Sequence, residues 1–272
     1  MPTVTVEDVQ VHYRAQGSGP AVVLLHGMGS CADDWVFQFP ALVGRYTALA
    51  IDLRGHGESS APPGSYSIAA MADDVAGLMG ALDVDVAHVV GLSLGGLVAQ
   101  ALAVNHAPRV LSLVLVNTFA RLRPQGLRGW LYLLSRALAM LTGGVEAQAE
   151  VVARGVFPHP EQDALRQMAA DRLRANDPAA YRTTMRAALR FDGRRDLARI
   201  RVPALVVAGA EDATVHLAAK KALADGIPGA RFEVVPNSGH ATPVDRPDVF
   251  NDLLVDFLSD AGMAYVSGKG KS

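Results

Sequence analysis

The chain has 272 residues, of which 50% are hydrophobic and 19% charged. That much apolar side chain suits one large globular domain, or one domain with a sizeable insertion, and excludes disorder as the main state. A formal net charge of -2 leaves the whole chain without the polycationic character that draws nucleic acid or an anionic membrane, so neither is expected as a partner. The single cysteine, Cys31, excludes an internal disulfide framework and fits a reducing compartment, from which a cytoplasmic location is expected.

In chain order, residues 1–16 alternate polar and apolar side chains and lack a basic region followed by an apolar one, so they read as strand and not as a signal peptide. Thr3 to Val6 and Val9 to Tyr13 predict an antiparallel hairpin at a sheet edge. Ala21 to Leu25, Thr47 to Ile51, Ala87 to Val90 and Val110 to Val116 are near-continuous apolar runs separated by helical patterns. Such runs predict parallel strands buried on both faces by helices. The 23 residues between Asp85 and Arg109 carry no Asp, Glu, Lys or Arg, long enough to span a bilayer. Gly91, Gly95 and Gly96 instead divide the stretch into a strand, a turn and a helix.

From residue 120 to 200 helical periods such as Trp130, Leu131, Leu134, Leu138 and Leu141 replace the strand runs, predicting an all-helical insertion. Strands resume at Ala204 to Ala208 and Phe232 to Val235. A helix beginning near Pro247 carries Phe250, Leu253, Leu254 and Phe257 as its apolar stripe. The expected organisation is a core of residues 1–119 and 201–265 interrupted by a cap at 120–200, with a Gly, Lys and Ser tail at 266–272 that has little to bury and is expected to be disordered. The cap holds 14 Arg against 8 acidic residues, a balance of +6 that leaves -8 for the rest. These arginines read first as solvated faces of amphipathic helices, and second as a basic lid that would favour an anionic substrate.

Gly91-Leu92-Ser93-Leu94-Gly95 carries the chemistry: it lies between an apolar strand and the helical stretch 95–104. A sharp strand-to-helix turn there strains the backbone of Ser93, exposes its hydroxyl, and leaves no room for side chains at the flanking glycines. It also sets Ser93 at a helix N-terminus, where free N–H groups favour an anionic intermediate. A serine hydroxyl needs a base, and the base an orienting acid. Asp212 follows the strand ending Val206-Val207-Ala208-Gly209, and His240 lies in the loop after the next strand. Serine, acid and histidine then share the carboxyl edge of one sheet. Glu211 is the rival acid; Asp52 precedes the nucleophile and reads as a loop-stabilising residue. The backbone N–H groups of Leu94 and, across the loop His26-Gly27-Met28-Gly29, of Met28 are the expected oxyanion donors.

These segments, with Asp52-Leu53-Arg54-Gly55-His56-Gly57-Glu58-Ser59, Gly209-Ala210-Glu211-Asp212 and Ser238-Gly239-His240, resemble the α/β-hydrolase superfamily. Gly91 to Gln100 followed by residues 115–121 resembles its 3-oxoadipate enol-lactonase and small carboxylesterase branch. The resemblance implies an α/β fold with a mostly parallel eight-stranded sheet, helices on both faces and a helical cap. It also implies Asp212 as the acid and a serine hydrolase that cleaves small-molecule esters or lactones through an acyl-enzyme on Ser93, with no cofactor and no metal. A cofactor-free perhydrolase or haloperoxidase, a carbon–carbon bond hydrolase and a non-catalytic ligand-binding signalling protein are the alternatives. A homo-oligomer is compatible with all of them. Trp35, Phe119, Trp130 and Leu134 are the expected substrate-binding walls, Cys31 a small buried filler, and His26 and His56 loop braces.

Overall fold

The structure, a computed structural model, describes residues 2–122, 131, 134, 135, 138 and 146–269, the last six by backbone alone. Eight strands form one sheet: β1 Thr3–Val6, β2 Val9–Gly17, β3 Ala21–Leu25, β4 Thr47–Ile51, β5 Ala87–Leu92, β6 Val110–Val116, β7 Ala204–Gly209 and β8 Arg231–Val235. Their order across the sheet is β1-β2-β4-β3-β5-β6-β7-β8. The β1–β2 and β2–β4 pairs are antiparallel and the rest parallel, so the predicted hairpin is the edge. β2 runs four residues beyond its expected end at Tyr13, because Arg14 to Gly17 find ladder partners in Ala50 to Thr47, a pairing that local alternation does not encode.

Each central strand feeds two cores. In β3, Ala21, Val23 and Leu25 point to one face and Val22 and Leu24 to the other, as the two-residue period of a strand requires. The first face is covered by α2 (Ile68–Ala81), α3 (Leu94–Asn105) and α7 (Leu217–Gly226) through Leu78, Leu97 and Leu223. The second is covered by α1 (Phe39–Leu42) and α9 (Pro247–Lys269), where Phe250, Leu254 and Phe257 of the predicted stripe meet Trp35, Val114 and Val207. Each such side chain contributes roughly 1.5–3 kcal/mol on burial. α9 begins with proline, whose missing N–H costs a first helical turn nothing. It continues to Lys269, so residues 266–269 of the expected tail are helical; adding a residue to an existing helix fixes one residue per hydrogen bond and needs no buried face.

Between β6 and β7 lie α4 (146–156), α5 (Asp163–Ala175), α6 (Pro178–Arg190) and three-residue turns of tighter helix. α6 is started by Asp177, whose carboxylate accepts the N–H of Ala180 at 2.7 Å, followed by Pro178. Ala149, Ala153, Ala170, Leu173 and Tyr181 pack these helices on one another and onto Met28, while Phe157 packs on Ala241 and Val244. The inserted helices therefore rest on the two loops, after β3 and after β8, that carry candidate site residues.

Candidate active site

β5 ends two residues later than the apolar run suggests, directly before Ser93, and α3 starts directly after it. The reversal leaves Ser93 at φ 52° and ψ -108°, a left-handed backbone that a non-glycine residue adopts only under constraint. The constraint is steric. A Cβ on Gly95 would collide with the carbonyl oxygen of Leu25 and stand 2.8 Å from that of His26, and one on Gly91 would collide with the carbonyl of Gly95 and stand 2.6 Å from the N of Gly96. Ser93 N–H donates to Val116 O at 2.9 Å and Gly95 N–H to His26 O at 3.0 Å, which ties the turn to its neighbours on both sides.

Asp212 and His240 meet across the ends of β7 and β8. His240 Nδ1 lies 2.8 Å from Asp212 Oδ2 and 2.6 Å from Thr214 Oγ1. Asp212 Oδ1 accepts the Thr214 N–H at 2.8 Å, the Thr214 hydroxyl at 2.7 Å and the Val215 N–H at 3.0 Å. The Thr214 hydroxyl thus spends its proton on the carboxylate, and Nδ1 must carry the hydrogen of the imidazole. Nε2 is left bare, the tautomer that can accept a proton. Burial pushes the Asp212 carboxyl up, but His240 and the ammonium of Lys220 outweigh it and hold the group well below the usual carboxylate range.

Glu211 does not take this place. Its carboxylate is exposed and pairs with His159 Nε2 at 3.1 Å, which joins the acid loop to the segment after α4. Asp52 is a loop brace, as its position suggests: its oxygens accept the N–H of Ala32 at 2.6 Å and of Glu58 at 2.9 Å and meet His12 Nδ1 at 2.7 Å. His26 donates from Nδ1 to Gly27 O at 2.7 Å and accepts the Leu53 N–H on Nε2 at 3.0 Å. Burial lowers its affinity for a second proton, and burial together with His26 lowers His56 to about 3. Both stay neutral braces at neutral pH. Cys31 is buried, and burial with Asp34 nearby pushes its thiol up to about 12, so it is the inert filler the sequence suggests.

Ser93 and His240 both line a cavity of about 200 Å³ at the carboxyl edge of the sheet. No hydrogen bond of 3.5 Å or less joins the serine hydroxyl to the imidazole, a looseness common before substrate binds. Met28, Leu94, Trp35 and Phe119 line the same cavity. The N–H groups of Met28 and Leu94 donate to no acceptor among the described residues. The insertion closes the far wall with Phe157, just after α4, and with Leu173, Tyr181 and Met185 of α5 and α6. Leu134 is not part of that wall: it is 64% exposed, because the helical stripe read from sequence fixes which residues share a face and not which way that face turns. Trp130 lies outside the described residues. Among the described residues two arginines line the cavity, each beside carboxylates: Arg121 is 3.5 Å from Asp192, and Arg172 is 3.2 Å from Asp34 and 3.5 Å from Asp33.

Three residues that sequence reasoning did not assign a place in the site hold it together. Asn117, at the end of β6 with φ 45°, accepts the Gly209 N–H and the Lys220 ammonium on Oδ1, both at 2.7 Å. Its Nδ2 donates to His240 O and Thr242 Oγ1, both at 2.8 Å. Asp245, in the short helix α8 (Thr242–Asp245), accepts the Gly239 N–H at 2.6 Å and the Ser238 hydroxyl at 2.9 Å. Lys220 sits on the buried face of α7 with Leu223 and Ala224. The i, i+3, i+4 spacing of those residues was the available signal that this lysine points inward.

With this geometry in view, comparison with known proteins gives a consistent answer. The alpha/beta hydrolase fold family model matches residues 20–247. The chain is 36% identical over 268 residues to "Putative carbamate hydrolase RutD" of Caulobacter sp. (strain K31), covering 92% of this chain and 94% of the relative. It is 29% identical over 258 residues to "3-oxoadipate enol-lactonase 2" of Acinetobacter baylyi, covering 93% and 94%. Among solved structures, the enol-lactonase from Burkholderia xenovorans LB400 superposes with a TM-score of 0.87 at 33% identity, covering 95% of this chain and all of that one. Eight strands in this order, a strained serine between β5 and α3, and these matches along nearly the whole chain identify it as a member of the α/β-hydrolase family.

Proposed function

We propose that the chain is a serine hydrolase that cleaves carboxylic esters or lactones. The observation that carries this reading is that Ser93, held in a strained turn at the start of α3, shares a cavity with His240, whose Nδ1–H is fixed on Asp212. Substrate closing on Ser93 brings the hydroxyl to Nε2. The Oγ–H proton passes to Nε2 as Oγ bonds the carbonyl carbon, and the carbonyl π pair moves onto oxygen, where the N–H groups of Met28 and Leu94 hold it. Collapse expels the alkoxide, which takes the proton from Nε2 and leaves an acyl group on Ser93. Water, deprotonated by the same Nε2, attacks the acyl carbon; the second collapse releases the acid and returns the proton to Oγ. In a lactone, acid and alkoxide belong to one molecule.

The apolar walls Met28, Trp35 and Phe119 and the modest cavity volume suit a small or medium acyl group. Because Arg121 and Arg172, the lining arginines among the described residues, each have a carboxylate partner, they support the solvated-face reading of the basic insertion over a lid selecting anions. A second reading is carbamate hydrolysis by the same serine chemistry, favoured by the name of the 36% identical relative. A panel of p-nitrophenyl esters, enol-lactones, carbamates and diketones, run with wild type and Ser93→Ala, separates them. Turnover of esters or lactones that vanishes in the variant is expected; turnover of carbamates alone selects the second reading. Turnover of diketones alone, or a folded wild type whose Ser93 ignores a fluorophosphonate, overturns both.

A further inference from the structure

Lys220 is wholly buried, an expensive place for an ammonium unless it is paired. Its Nζ lies 2.8 Å from Asp212 Oδ2, 2.7 Å from Asn117 Oδ1 and 3.1 Å from Gly209 O. The oxygen it meets on Asp212 is the one that receives His240 Nδ1, also at 2.8 Å. Ammonium and imidazole are therefore at most 5.6 Å apart, on either side of one carboxylate oxygen. A carboxylate that faced the histidine alone would favour its protonated form; with a cation on the same oxygen, the charge that form meets is a cancelled pair. The other three donors on Asp212 come from Thr214 and Val215 and carry no charge.

We propose that Lys220 is a positioning residue of the proton relay: its ammonium, through Asp212, sets the pH below which His240 ceases to act as a base, keeping the imidazole neutral further into acid than a lone carboxylate would. This rests on the serine-hydrolase reading above. Burial draws the lysine's own proton affinity down, and Asp212 opposes the loss. Among the described residues, the other charged groups around the relay have partners of their own, and Arg172, in the same cavity, faces Asp34 and Asp33. Glu211 is paired with His159, Asp245 holds Ser238 and Gly239, and Arg121 is beside Asp192. His216, at the start of α7, lines the cavity with no hydrogen bond to His240 or Asp212.

The test is the rate at which a fluorophosphonate labels Ser93, followed from about pH 5 to about pH 9 in wild type, Lys220→Met, Lys220→Gln and Lys220→Arg. This readout needs no knowledge of the natural substrate. The acid limb of the profile is expected to move up by about one to two pH units in the two neutral variants, whatever the height of their plateau, and to return toward wild type in Lys220→Arg. A lysine that only fills space would lower the plateau and leave the limb where it is, which overturns the proposal while the serine reading stands. Absence of labelling in folded wild type overturns both. Should neither neutral variant fold, the side-chain nitrogen shift of Lys220 in wild type decides: three protons retained through the limb support the proposal, and a neutral amine there overturns it.

Discussion

Replacing Asp212 by asparagine changes one atom pair and should remove most of the activity. The carboxylate accepts five hydrogen bonds, three on Oδ1 from Thr214 N, Thr214 Oγ1 and Val215 N, and two on Oδ2 from His240 Nδ1 and Lys220 Nζ. An amide can accept on one side only. Two of the three donors on the Oδ1 side are fixed backbone N–H groups, so the amide oxygen settles there and the NH₂ faces His240 and Lys220. The imidazole then accepts on Nδ1 and carries its hydrogen on Nε2, the tautomer that cannot take a proton from Ser93. The expected loss in kcat/KM is about 10⁴-fold, about 5.4 kcal/mol of transition-state stabilisation. Lys220 keeps Asn117 and Gly209 but loses its anion, and an uncompensated buried charge costs about 3–5 kcal/mol unless it gives up its proton. Urea unfolding should therefore show a less stable protein, and Asp212→Asn with Lys220→Met should regain much of the stability and none of the activity. Steady-state turnover of the best ester in the panel, beside the unfolding curves, measures both. A loss under about tenfold in Asp212→Asn would refute the tautomer reasoning and shift the acid to Glu211, which Glu211→Gln would then expose.

Gly95→Ala should lose at least about 3 kcal/mol of stability in urea or thermal unfolding, and with it Ser93 labelling, because its methyl would meet the Leu25 carbonyl inside the turn. Stability should fall as pH drops below about 6.5, since the folded state refuses protons at His56 (lowered to about 3) and His88 (lowered to about 4, by burial), whereas the unfolded chain accepts them. Fewer protons bound when folded means that stability rises with pH, at most about 1.4 kcal/mol per unit for each histidine down to its folded value. His88→Gln should remove one such share from a pH series of urea midpoints, and an unchanged slope would contradict the burial argument. For an acidic ester, KM should change less than about twofold between low and high salt, because Arg121 and Arg172 already face carboxylates; a steep rise would restore the basic-lid reading.

What could be read from the sequence and what could not divides along the range of the forces involved. The parallel strands were legible because burial on both faces demands unbroken Val and Leu, and the Ser93 turn because its glycines answer to a steric demand within a few residues. The register of β2 against β4 was not, since Arg14 to Gly17 take their partners from Thr47 to Ala50. Leu134 shows the same limit for the insertion: periodicity reports a helix face, but only packing between helices decides whether that face meets a cavity or solvent.

The polar half of the site is harder still to foresee, because a buried donor or acceptor is defined by partners far off in sequence. Asn117 ends an apolar strand, a place where asparagine commonly serves only as a turn residue. Its side chain nevertheless meets Gly209, Lys220, His240 and Thr242, which come from three other segments. Lys220 looks solvated in a helix that reads Leu-Ala-Ala-Lys-Lys-Ala-Leu, yet it is buried while its neighbour Lys221 pairs with Asp225 at the surface. The two lysines are told apart by phase alone: position 220 shares its face with Leu223 and Ala224, and position 221 does not. A lysine carried inward by that phase must find a carboxylate, and the one it meets among the described residues is the carboxylate that orients His240. The helix after β7 thus links its packing to the charge balance of the candidate relay, and a substitution on its buried face can alter the pH response of Ser93 without touching the cavity.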